Sequence, residues 1–225
     1  PANSQELDFT NNTILCGSTS NLVNAGGAVD ILSLGRGNIT IDCNNTRIYT
    51  EDAAPEGFMS TTGTPGLIMK NCHVQHFKYG FAFASDSNGT ILYNITLENM
   101  SNVGINISNA NIKNIIIANM NITSSTGIGI LIERGTRINI TNNVIKNVSR
   151  GIEIYGPATN ITIQNTTIIN NSRYGILLVN SSNNTILWNN ISNNSGEGII
   201  MTAGNLSTIT QHNLDLTNFI ANNTI

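Results

Sequence analysis

Apolar and polar positions alternate along most of this chain in short apolar-x-apolar triplets, and the triplets return at a fixed interval. Gly80, Gly104, Gly129, Gly151, Gly175 and Gly198 recur every 22 to 25 residues. Each is followed by such a triplet: Phe81/Phe83, Ile105/Ile107, Ile130/Ile132, Ile152/Ile154, Ile176/Leu178 and Ile199/Met201. A spacing of two with β-branched residues is strand chemistry, one side chain inward and the next outward. Nine or ten residues before each glycine stands an asparagine: Asn71, Asn94, Asn119, Asn142, Asn165 and Asn189. A second apolar pair precedes it, as in Leu67/Met69, Ile115/Ile117, Ile138/Ile140 and Ile161/Ile163. Three residues after it comes a further inward candidate, Val74, Leu97, Ile122, Ile145 or Ile168, and the last repeat slips by one to Ile191. Each repeat therefore predicts about three short strands separated by turns.

The period of two and the density of Asn, Gly and β-branched residues exclude helices. An antiparallel sandwich also alternates, but gives no reason for the same residue types to return in six successive units. Stacked coils do, because each coil buries its apolar face only against its neighbours. The expectation is an all-β, single-stranded right-handed parallel β-helix of about eight to nine coils, forming a rod roughly 40 Å long. It reads as one domain over 1–225: an N-terminal coil and cap region in 1–36, a loop insertion in 51–65, regular coils in 66–205, and a last coil in 206–225. Asn222-Asn223-Thr224-Ile225 reads like the start of another coil, continued in a longer chain or docked on a neighbour. The six asparagines are expected to stack as a ladder of amides. The six glycines are expected at a tight bend that a Cβ would obstruct.

The segment Asn38-Ile39-Thr40-Ile41-Asp42-Cys43-Asn44-Asn45 and the later Leu67-Ile68-Met69-Lys70-Asn71-Cys72 carry a family likeness. Together with Cys16-Gly17 they resemble the NosD-like, PbH1-repeat β-helix family of archaeal surface proteins, with Asn45 standing where that family often has Gly. The resemblance implies the fold strongly and the function weakly. The family's name refers to a periplasmic protein linked to copper delivery, and no residue here carries that role over.

Composition narrows the partners. Only 10% of residues are charged, the net charge is −3, and there is neither a Lys/Arg run nor a basic face with interleaved aromatics, which argues against nucleic acid. No stretch of 18 apolar residues suggests a membrane span. Pro1 to Phe9 lacks the form of a secretion signal, so an exported protein would be present here as its processed form or an excerpt.

The densest motif is Asn-x-Ser/Thr, with 19 matches. The glycosylation candidates are Asn38, Asn88, Asn106, Asn139, Asn147, Asn160, Asn180, Asn183, Asn193 and Asn205, whereas Asn71, Asn119, Asn142 and Asn189 of the ladder lie outside such motifs. A chain rich in Asn, Ser and Thr also generates the motif by chance. Cys16, Cys43 and Cys72 are spaced a little over one coil apart, which brings Cys43 within disulfide range of Cys72 or, alternatively, of Cys16. Cys72, His73 and His76, with Met59 and Met69 nearby, are a weak copper set, because strand alternation sends Cys72 and His73 to opposite faces.

Catalysis of polysaccharide cleavage needs converging carboxylates or a poised base. Asp42, Glu98, Glu133, Glu153 and Glu197 read as scattered, with Arg150 or Arg173 available to pair with Glu153. Tyr79 and Tyr174 precede glycines several coils apart, and Trp188 is read as facing solvent. The expectation is therefore a non-enzymatic, extracellular, secreted glycoprotein without cofactors beyond covalent N-glycans. Its role would be as a component of a cell-surface layer, filament or adhesin, self-associating head-to-tail or joined to other surface proteins. The alternatives are a carbohydrate-binding or carbohydrate-active β-helix and a NosD-like metal-handling module.

Overall fold

In a computed structural model the described residues are 38–49, 56–60, 65–83, 86–202 and 208–210, with two short strands at Thr13–Ile14 and Leu22–Val23. They form a right-handed parallel β-solenoid without helices. Each coil gives one strand to each of three sheets, which hold nine, eight and seven strands. One coil runs Lys113–Ala118 in the first sheet, Asn121–Thr123 in the second and Ile128–Ile132 in the third. Among the described residues the third sheet holds seven strands, slightly fewer than the eight or nine coils expected. Cys16, Asn205 and most of 1–36 and 206–225 lie outside the described residues.

Register follows the sequence period. Ile117 pairs with Ile140, Ile163 with Ile186, and Leu97 with Val74 and Ile122. These side chains are fully buried, so aliphatic residues, most of them Ile, stack along the axis at about the strand spacing of 4.8 Å. Segment 51–65 is not simply an insertion: Glu56–Ser60 is a strand of the third sheet, registered on Tyr79–Phe83. Phe58 is buried and its ring stacks on Phe81 at 5.0 Å, which supplies the reason for a strand in a Pro- and Thr-rich stretch.

In each of the six coils from Gly66 to Asn193 three corners adopt a left-handed backbone, and this explains the asparagines. At the entry to the first sheet the corner column runs Asn38, Gly66, Gly89, Asn114, Arg137, Asn160 and Asn183, with Asn114, Arg137 and Asn160 each the second residue of the strand itself; between the first and second sheets it includes Asn71, Asn94, Asn119, Asn142, Asn165 and Trp188. Beyond the second sheet it runs His76, Asn99, Ser124, Asn147, Asn170 and Asn193. Asparagine is the side chain best able to tolerate positive φ after glycine. The expected ladder therefore needs a correction: Asn189 is not a corner residue. Trp188 takes the corner and Asn189, 1% exposed, points inward. There it belongs to a buried column in which the Met120 amide donates to Asn143 Oδ1 (2.8 Å) and the Thr166 amide to Asn189 Oδ1 (2.9 Å). Asn143 and Asn189 each donate back to a strand carbonyl, of Ile117 and Ile163. At the next turn a second buried pair accepts in the same way, Asn171 Oδ1 from the Val148 amide and Asn194 Oδ1 from the Asn171 amide, and of the two only Asn194 donates back to a strand carbonyl, that of Ile168. These inward amides satisfy turn backbone that stacking would leave unpaired.

The repeating glycines are also corrected in their reason. Gly80, Gly104, Gly129, Gly151 and Gly175 do not adopt positive φ; they sit where coils touch. A Cβ on Gly129 would lie 2.6 Å from the Gly151 carbonyl oxygen and 2.7 Å from Ile145 Cγ2. Gly129→Ala is expected to cost about 2–3 kcal/mol through overpacking, read as a lower denaturation midpoint in urea at an unchanged slope. Gly57 belongs to the same column.

Candidate functional site

On the second sheet Ile48, Val74 and Leu97 point into the core, so alternation sends Arg47 and Tyr49, His73 and Gln75, and Thr96 and Glu98 to the outer face. Register places Arg47 beside His73, and Tyr49, Gln75 and Glu98 in one row. Gln75 is 5% exposed and organises the cluster. Its Oε1 accepts from Arg47 Nε and its Nε2 donates to Glu98 Oε2, which fixes the orientation of the amide. Gln75 Nε2 also lies 2.7 Å from His73 Nε2, and that ring nitrogen is 3.3 Å from Glu98 Oε2. The Arg47 guanidinium lies 4.8 Å from the centroid of the Tyr49 ring.

His73 Nε2 thus faces a donor and an acceptor at once. When the Gln75 amide donates to it, the nitrogen presents a lone pair; when it carries a proton, the Glu98 carboxylate receives that proton in a hydrogen bond. An imidazole one-third exposed, held at Nε2 by a carboxylate and in register with Arg47, brings a base and a cation to one stretch of surface.

The copper set is not brought together. Cys72 is bonded to Cys43, with Cα atoms 4.8 Å apart, and Met69 is buried in the core. His76 occupies a corner beyond the strand, where its Nε2 meets Asn99 Nδ2 at 3.1 Å. Among the described residues no three His, Cys, Asp or Glu side chains gather as a metal site.

The third sheet carries a second polar cluster. Glu153, 1% exposed, lies between inward Ile152 and Ile154. It accepts from Arg150 Nη1 at 2.8 Å and from the hydroxyls of Tyr174 (3.1 Å) and Tyr155 (3.3 Å). Arg150, and not Arg173, is its partner. Tyr155 and Tyr174 come from adjacent coils but different columns, so sequence spacing hides their convergence; Tyr79 instead accepts from Asn102 Nδ2. Burial first, then the Glu153 charge, push both Tyr155 and Tyr174 above the ordinary phenol value of 10.0. A raised pKa favours the neutral phenol in the fold, so this stabilisation is complete below pH 10 and lost as pH climbs through the raised values. Ultraviolet difference titration of the native protein should show two tyrosines ionising above 10.0, and Glu153→Gln should bring both down. On the first sheet, Asp42 is held below its usual range by the Asn71 amide, then the Asn44 backbone N–H and Lys70.

The sequon residues fall into two groups. Asn38, Asn147, Asn160, Asn180, Asn183 and Asn193 are exposed and at positive φ, whereas Asn88, Asn106 and Asn139 are half-buried and Asn205 is outside the described residues. A corner Asn, an inward apolar residue and an outward Thr or Ser reproduce the motif coil after coil, as in Asn160-Ile161-Thr162, so the solenoid itself accounts for much of the sequon density.

Three parallel sheets wound into coils, with polar constellations on their outer faces, define a parallel β-helix protein. The chain belongs to the right-handed beta helix family, whose sequence profile matches residues 2–168 and 94–224. No functionally curated protein matches the sequence. Among solved structures it is similar to the periplasmic alginate epimerase AlgG, with a TM-score of 0.65 at 16% identity over 94% of this chain and 65% of that one. It is also similar to the A-module of the Azotobacter vinelandii mannuronan C-5 epimerase AlgE6, with a TM-score of 0.60 at 15% identity over 81% of this chain and 60% of the other. The chain thus spans just under two thirds of these relatives' length. At such identity the likeness establishes the fold. The expectation of a non-catalytic surface component and of a chain that is not an enzyme is corrected by the same comparison: both of these solved solenoids are epimerases, of alginate and of mannuronan, which agrees better with the carbohydrate alternative.

Proposed function

We propose that the protein is a carbohydrate-active β-helix that binds an acidic polysaccharide across the outer face of the second sheet and moves a proton on it. The observation that carries this reading is the Arg47, His73, Gln75 and Glu98 array, a base and its carboxylate partner beside a fixed cation. The proton on C5 of a hexuronate is acidic because the carboxylate beside it delocalises the electron pair left behind. In this reading Arg47 neutralises that carboxylate, the His73 imidazole takes the proton at the nitrogen opposite Nε2, and Glu98, hydrogen-bonded at Nε2, stabilises the resulting imidazolium. Reprotonation of C5 by solvent water from the other face of the sugar inverts it; departure of the C4 oxygen, which takes its proton from the imidazolium, cleaves the chain and leaves a C4–C5 double bond.

The test is incubation with polymannuronate or polygalacturonate in D2O. The reading expects deuterium at C5, seen by proton NMR, or unsaturated chain ends, seen by ultraviolet absorbance. Neither product from either polymer would remove it.

An oxidising compartment, secreted or periplasmic, is part of this proposal and is supported by the Cys43–Cys72 bond. The finer affiliation is read as NosD-like and archaeal on the Asp42-Cys43-Asn44 and Lys70-Asn71-Cys72 motifs. The exposed corner asparagines are offered as N-glycan sites, and intact-mass spectrometry of native protein at the unmodified polypeptide mass would exclude them.

A further inference from the structure

We infer a separate sugar-binding face on the first sheet, which docks an uncharged glycan chain lying along the solenoid axis between Tyr93 and Trp188. The inference does not rest on the second-sheet site. Among the described residues the large apolar side chains left exposed are Tyr93 (45%), Ile116 (38%) and Trp188 (55%), and all three belong to the first sheet or its following corner. Tyr93 lies in the outward row that continues through Ala118, Thr141 and Gln164 to Leu187, next to Trp188. Four strand steps of about 4.8 Å put the two aromatic residues about 19 Å apart along the axis.

Trp188 is the more informative residue. The corner it occupies has a φ of 53°, and the five preceding coils fill that corner with Asn at φ between 49° and 57°. A bulky aromatic is disfavoured in this conformation, and here the cost is not offset by burial, because the indole is the most exposed of the large apolar side chains. An unfavourable backbone state kept for an exposed ring points to something the ring binds.

The surface between the rings narrows the ligand. Thr141 and Gln164 in Tyr93's row, and Thr162 and Thr185 in the row beside it, offer hydroxyls and an amide, and neither row carries a charge from the strand of Tyr93 to that of Trp188. Flat apolar rings at two ends with uncharged donors and acceptors between them match a chain of neutral pyranoses, whose C–H faces stack on aromatics while their rims hydrogen-bond. A protein partner would be better met by a contiguous apolar patch.

Trp188 is the single tryptophan of the chain, so its fluorescence reports this face directly. Titrating the whole protein with cellohexaose should shift the emission to the blue and shield the indole from iodide quenching, saturating with one site. Tyr93→Ala should weaken the titration about tenfold. Trp188→Asn should raise the urea midpoint, because it restores the corner residue of the other coils, while abolishing cellohexaose binding by calorimetry. His73→Ala, which disables the second-sheet site, should leave the titration unchanged, so failure of one site is distinguishable from failure of the other. The inference is overturned by emission and quenching indifferent to cellohexaose at millimolar concentration, or by a Trp188→Asn protein that is less stable than the parent. It is equally overturned by an emission shift that follows protein concentration without sugar and tracks dimerisation, which would assign the face to a second copy of this chain.

Discussion

His73→Ala is expected to lower turnover of an acidic polysaccharide by about 10²–10⁴-fold, the range for loss of a positioned acid–base group. The reduction should fall on kcat, because His73 contributes little area for holding the polymer. Glu98→Gln keeps the shape of the array and removes the carboxylate that holds His73 Nε2, so it should lower kcat less than His73→Ala does. Arg47→Lys keeps the cation but loses the bond from guanidinium Nε to Gln75 Oε1, freeing the amide to rotate. Steady-state rates of the three variants across pH separate these roles. Equal, pH-independent losses in all three would instead identify a structural network with no part in proton transfer.

Replacing both Cys43 and Cys72 by serine is expected to cost about 3.5 kcal/mol of stability, from the chain entropy of closing a 29-residue separation. The bond ties adjacent coils at the corner from which the second sheet starts. Arg47 follows in one of those coils and His73 in the other. Losing the bond should therefore also loosen the spacing between the guanidinium and the imidazole. Urea denaturation measures the first effect. The second is read as increased amide exchange at Arg47 and His73 under conditions where the core strands still resist exchange. A double variant as stable as the parent would show that stacking alone holds these coils.

Much of the fold was legible because its cause is repeated. A buried row needs Ile at every coil, a contact row needs Gly, and a left-handed corner needs Asn, so one physical requirement writes the same letter five or six times. What was misread lies where the repeat is sounded only once. Gly57 and Phe58 carry the pattern inside a stretch rich in Pro, Gly and Thr, and no neighbouring triplet flags them. Asn189 looked like one more corner because it is an Asn at nearly the right spacing, while the true corner had been given to Trp188. The site residues were harder still. Arg47, His73, Gln75 and Glu98 all occupy outward positions, which packing leaves free to vary, and their convergence depends on inter-coil register. The acidic residues looked scattered for the same reason: Glu153 gathers Tyr155 and Tyr174 from columns that no linear spacing connects.

The equal rise of the coils turns this molecule into a ruler with discrete graduations. Side chains in one outward column can be separated only by whole multiples of about 4.8 Å. Inserting or deleting a complete coil between Tyr93 and Trp188 would lengthen or shorten that span by one graduation, with the corners and contact rows on either side meeting the same neighbours as before. The reach of such a face can therefore be selected in steps, independently of the chemistry on the adjoining sheet.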